Sequence, residues 1–108
     1  MNNDCAPNLP GGHAAFVQNL TATDAAGNPA PIRDLGGGRW KIASGAKPTV
    51  MVNYDVRIDH EESVWPYGPD EAPYVTEDGV FWTGRALFIV TTMKDIIVRY
   101  KLPRGWLM

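Results

Sequence analysis

What most constrains this chain is its punctuation. Eleven glycines and nine prolines interrupt it, at intervals on the order of ten residues, which leaves little room for an amphipathic helix and suits short strands joined by turns. Between the breaks, apolar residues recur with period two. In TVMVNYDVRI, Val50, Val52, Tyr54, Val56 and Ile58 fall on one face while Asn53, Asp55 and Arg57 fall on the other, the pattern of a half-buried strand. DIIVRYKL repeats the pattern, with Ile96, Val98, Tyr100 and Leu102 opposite Arg99 and Lys101.

Shorter segments fill the remainder. FVQNLTATD and AAGNPAPIRDL read as two strands joined through a turn at Gly27, Asn28 and Pro29, and RWKIA follows the Gly36-Gly37-Gly38 link. GVFWTG and RALFIVTT supply one short and one longer strand, joined near Gly84. The expectation is an all-β protein, an antiparallel β-sandwich of about six to eight strands. A chain of 108 residues supports one core. Residues 14–108 are therefore expected as a single domain, behind a flexible leader at residues 1–13.

Charge removes some partners from consideration. Ten basic and twelve acidic residues give a formal net charge of -2, with no run of like charge to follow a nucleic-acid backbone or an anionic membrane. Cys5 is the only cysteine, so neither an internal disulfide nor a thiolate zinc site can form. No basic region followed by an apolar run marks the first residues, and no apolar stretch is long enough to span a bilayer. The chain reads as soluble, with its compartment open.

The stretch DHEESVWPYGPDEAPY, residues 59–74, invites a metal reading. A zinc peptidase helix carries His-Glu-x-x-His, because two histidines four apart share one helical face. Here His60 and Glu61 are followed by Glu62, Ser63 and Val64, so the second histidine is missing. Asp59, Glu61, Glu62, Asp70 and Glu71 offer hard oxygen ligands, but their spacing matches no EF-hand loop. A solvated acidic loop is the plainer account.

Other motifs also reduce to ordinary features. Gly36-Gly37-Gly38 and Ser44-Gly45-Ala46-Lys47-Pro48 open no helix that could hold an anion, and they read as turns. His13 and His60 have no serine or cysteine nucleophile in a recognisable setting. Asn19-Leu20-Thr21 has the glycosylation pattern, which occurs often by chance. No catalytic or metal-ligating residue is assigned.

The aromatic residues say more. Trp65, Tyr67, Tyr74, Phe81 and Trp82 lie close together in the sequence. Such rings either fill a small core or form a binding face. Phe81 is the candidate core ring. Trp65, Tyr67, Tyr74 and Trp82 are the candidate interface or ligand surface, and Trp65 and Tyr67, set among Pro66, Gly68 and Pro69, are expected to be exposed.

The order of NLTATDAAGNPAPI, GGGRWKIASG, TVMVNYDVRI, GVFWTGRALFIV and VRYKLPRGW resembles the N-terminal β-domain of the glycyl aminopeptidase family of zinc metallopeptidases, the sixty-first metallopeptidase family. The resemblance runs over roughly residues 9–108. It rests on an Asp-x-x-Gly hairpin at Asp24 and Gly27, a strand around Trp40, and a Tyr-x-Val strand at Tyr54 and Val56. It continues through Phe81, Gly84, Leu87 and Phe88, the glycine one residue later than in the commonest form, to a closing Pro-x-Gly-Trp at Pro103, Gly105 and Trp106.

That resemblance implies a partial N-terminal domain whose earliest strands precede this segment and whose zinc helix follows it. It implies a non-catalytic scaffold that packs against a peptidase catalytic domain, with zinc held only in that domain. The alternative is an independent β-sandwich module that binds a glycan or a protein through the aromatic loop. Missing strands would leave a sheet edge open, so a homodimer through that edge is a further expected partner.

Overall fold

The computed structural model describes residues 12–43, 49–58, 73–91 and 97–107. A 3₁₀ turn at Gly12–Phe16 leads into β1 (Val17–Asp24), followed by β2 (Ile32–Gly36), β3 (Arg39–Ile42), β4 (Val50–Val56), β5 (Tyr74–Thr76), β6 (Gly79–Phe81) and a single helical turn, α1 (Gly84–Leu87). The strands pair as three antiparallel two-stranded sheets, β1 with β4, β2 with β3 and β5 with β6. The protein is all-β.

β4 has the face predicted for it. Val50, Val52, Tyr54 and Val56 are half-buried, while Met51, Asn53 and Asp55 between them are exposed. β1 runs antiparallel to β4, with Val17 opposite Val56 and Asp24 opposite Val50. The register shifts between Gln18 and Thr21, where Asn19 takes a positive φ of 52°. Asparagine tolerates that left-handed backbone better than most residues, and its Nδ2 donates to Asp55 Oδ2 across the pair at 2.6 Å.

The turns follow from their residues. Asp24 accepts hydrogen bonds at Oδ1 from the amides of Ala26 (2.8 Å) and Asn28 (2.9 Å), and Gly27 takes φ 83°. The Asp-x-x-Gly motif is thus a side-chain-closed loop. It returns the chain alongside β1 through a bridge between Thr23 and Pro29, but β2 then pairs with β3 instead of β1. Between β2 and β3, Gly37 (φ 58°) and Gly38 (φ 72°) occupy the two central turn positions. Positive φ at both is the mark of a type I′ hairpin, whose twist matches that of its strands.

Two strand expectations fail. RALFIVTT opens with α1, in which the amides of Leu87 and Phe88 donate to the carbonyls of Thr83 (3.2 Å) and Gly84 (2.9 Å). Ala86 and Leu87 are good helix formers, and residues 88–91 then continue without regular structure. Residues 97–102, from the second alternating run, also join no strand ladder. Ile97 is 78% exposed. Alternation specifies two faces, but a strand also needs a partner for its backbone groups, and no described strand pairs with this segment.

Burial is concentrated in few places. Among the described residues the buried apolar side chains are Phe16, Ala22, Ala30, Pro73 and Ala86. His13 is buried with them, in the 3₁₀ turn where the expected leader meets the domain. The Arg57 guanidinium lies over the Phe16 ring, 5.6 Å from its centroid, while the Arg57 amide donates to the Phe16 carbonyl at 2.9 Å. Three of these five buried apolar residues are alanines, which contribute little area, so the larger side chains that remain half-covered decide what this domain does next.

Candidate docking surface

Those larger side chains line a groove of about 610 Å³ between the β2–β3 hairpin and the β1–β4 pair. Leu35, Trp40 and Ile42 come from the hairpin, Leu20 from β1, Val52 and Tyr54 from β4, and Ile89 and Val90 from the segment after α1. Each contribution has a local cause. Trp40 and Ile42 alternate with the exposed Arg39 and Lys41 on β3, so strand geometry turns both toward the same side. Leu35 sits where the β2–β3 register shifts between Asp34 and Gly36, and it is 48% exposed.

One polar contact fixes the far wall. The Tyr54 hydroxyl donates to the Leu87 carbonyl at 2.8 Å and accepts from the Ile89 amide at 3.2 Å. It thereby satisfies two backbone groups, one at the end of α1 and one in the irregular segment that follows it. A second hollow of about 450 Å³ shares Tyr54, Ile89 and Val90 and extends past Phe88 to Ile97 and Val98. Arg99 also lines this second hollow. Among the described residues, Arg39 is the only charged one lining the 610 Å³ groove.

The residues singled out in the sequence fall elsewhere. Trp65 and Tyr67, with the acidic loop around His60, lie outside the described residues. Tyr74 faces Phe81 across the β5–β6 ladder and the rings stack, with centroids 5.1 Å apart. Phe81, expected in the core, is 37% exposed, because this pair covers itself on a small hairpin. Trp82 tilts against Tyr100 at 6.0 Å. The structure does not bring Tyr74 and Trp82 into the apolar groove. Sequence reasoning missed Leu20, Leu35 and Ile89 as groove residues, whereas the alternation in RWKI was a usable signal for Trp40 and Ile42.

Electrostatics contribute little here. Donation from the Asn28 backbone amide is the largest influence on Asp24 and, with the Asn28 side chain and the Ala26 amide, holds its carboxyl below the ordinary value. That is turn chemistry. Among the described residues, no group of three histidine, cysteine, aspartate or glutamate side chains could hold a metal ion. His13 is the only described histidine, so the zinc donor set of two histidines and a glutamate has no counterpart among the described residues. No helix among the described residues is long and apolar enough to cross a membrane.

The described residues form an all-β domain with a half-covered apolar groove. The model of the Peptidase M61 N-terminal domain matches residues 9–108, and the chain belongs to that family. Searches of curated proteins and of solved structures returned no match. Two of the motifs that carried the resemblance are now explained physically: Asp24 and Gly27 close a loop, and Pro103, Gly105 and Trp106 form a turn in which the Trp106 amide donates to the Pro103 carbonyl at 3.2 Å.

Proposed function

We propose that the chain is a non-catalytic scaffold domain whose apolar groove packs against the catalytic domain of a zinc peptidase. The observation that carries this reading is the groove itself. Trp40, Ile42, Val52 and Tyr54 are turned to one side yet only half-covered, in a domain whose described buried core is mostly alanine. Apolar surface of this extent gains free energy when covered. Membership of a family defined as the N-terminal domain of a peptidase supplies the chemistry of the cover, a neighbouring peptidase domain. Arg39 at the rim then adds orientation more than affinity.

The test is association in trans. A separately expressed catalytic domain of an M61 peptidase is titrated with this chain in a sedimentation experiment. The wild-type chain should form a one-to-one complex. Leu35→Asp and Trp40→Asp should lose it while keeping a wild-type circular dichroism spectrum. Association that survives both substitutions, or no association by the wild type, defeats the proposal.

One observation favours a second reading, a homodimer. The outer edge of β4 has no strand partner among the described residues, and an open edge invites pairing with another copy. Sedimentation of the chain alone at rising concentration decides it. A monomer throughout ends that reading.

A further inference from the structure

A different cleft, of about 480 Å³, opens between the β5–β6 hairpin and the C-terminal segment. Val80 and Trp82 line one side, and Leu102, Trp106 and Leu107 the other, with Asp78 among them. The sequence builds it from two turns. Asp78 stands in the two-residue turn that joins β5 to β6. Opposite it, the turn Pro103 to Trp106 closes through the 3.2 Å bond from the Trp106 amide to the Pro103 carbonyl, with Gly105 at φ 90°. Glycine is the residue that accepts that φ at the third position of a turn, and the turn presents the Trp106 ring, which is 45% exposed.

The lining selects a ligand class by chemistry. Indole faces are negative at their centres and attract cations, and among the described residues Asp78 is the only one of the lining with an ionisable side chain. A sugar would present many hydroxyls to a wall with one carboxylate, leaving most of them without a partner. An anion would face that same carboxylate. Glu77, beside Asp78 in the turn, adds charge of the same sign, whereas Arg104 does not line the cleft. Of the cations a polypeptide offers, guanidinium fits best, because its planar fork can lie on an indole while donating to a carboxylate.

We propose that this cleft binds an arginine side chain of a partner polypeptide, with the guanidinium on the indole faces of Trp82 and Trp106 and hydrogen-bonded to Asp78. The site is separate from the apolar groove and does not depend on what covers it.

The experiment titrates the 108-residue chain with N-acetyl-arginine amide and follows the indole N–H signals by NMR, assigned with Trp82→Phe and Trp106→Phe. The uncharged isostere N-acetyl-citrulline amide and a maltooligosaccharide serve as competing probes. Saturable shifts of the Trp82 and Trp106 signals are expected with arginine, and about tenfold weaker binding with citrulline, on the scale of a cation at an aromatic face. Asp78→Asn should weaken arginine to about the same degree and leave citrulline unchanged. Equal binding of arginine and citrulline, indifference to Asp78→Asn, shifts with the oligosaccharide alone, or no shift with any probe overturns the proposal. Asp78 lies on an exposed turn, so its variant keeps the test available even if a tryptophan substitution disturbs the fold.

Discussion

Tyr54 holds the backbone of Leu87 from thirty-three residues away, its hydroxyl donating to the Leu87 carbonyl at 2.8 Å. The same oxygen accepts from the Ile89 amide at 3.2 Å, so one side chain on β4 ties down the last carbonyl of α1 and an amide of the segment after it. Tyr54→Phe keeps the ring and removes both bonds. It should lower stability by about 1–2 kcal/mol, read as a lower urea midpoint with unchanged m-value, and it should raise amide exchange at Ile89. An unchanged midpoint would mean that water replaces the hydroxyl without loss.

The two faces of β4 should respond differently to charge. Val52 lines the groove and is half-buried, while Asn53 is exposed. Val52→Asp should cost about 1–3 kcal/mol, because it desolvates a carboxylate against apolar neighbours, and Asn53→Asp should stay within about 0.5 kcal/mol. Equal shifts in thermal melts would contradict the assignment of faces.

Backbone geometry gives a third contrast. An added Cβ would meet nothing within 4 Å at Gly36 or at Gly79, but only Gly36 has a left-handed φ, of 76°. Gly36→Ala should therefore cost about 1–2 kcal/mol, whereas Gly79→Ala should be close to neutral. Chemical denaturation of the two variants measures the difference, and equal costs would show that hidden contacts, not φ, govern these sites.

The Asp24 loop should be sensitive to acid. Its carboxyl is held below the ordinary value, first by the Asn28 amide. A depressed folded-state pKa contributes stability that is full above the unfolded value of about 3.9 and is lost as pH falls through the folded value. The Ala26 and Asn28 amide resonances should keep their positions at neutral pH and move together in that acidic window. Asp24→Asn should abolish the movement, and a transition centred above the unfolded value would reverse the sign and refute the account.

Legibility in the sequence followed the range of the interactions. β4 was readable because Val50 to Val56 alternate without interruption, whereas Gly36-Gly37-Gly38 was readable as a link or turn but not as the hairpin that pairs β2 with β3. Asp24 and Gly27 could be quoted as a motif, though only the structure showed that the loop bridges to β1 and sends β2 elsewhere. RALFIVTT misled because strand-forming Phe88 to Val90 follow a short run that satisfies a helical turn first. The groove was not legible, since Leu20, Trp40, Val52 and Ile89 meet only through pairings that local pattern does not specify. The aromatic cleft was half legible: Trp82 stood among the candidate residues, but its neighbour Trp106 lies across a turn whose direction depends on Gly105.

The bulge at Asn19 has one more consequence. Asn19-Leu20-Thr21 is a sugar acceptor by sequence, and the nitrogen that would carry the glycan is the one donating to Asp55 at 2.6 Å. Attachment takes one of that nitrogen's two hydrogens and places a bulky group where β1 meets β4. Modification therefore competes with strand pairing. In a cell-free glycosylation system, occupancy of Asn19 becomes a count of chains that had not yet folded, so the sequon serves as a clock for the closing of this sheet.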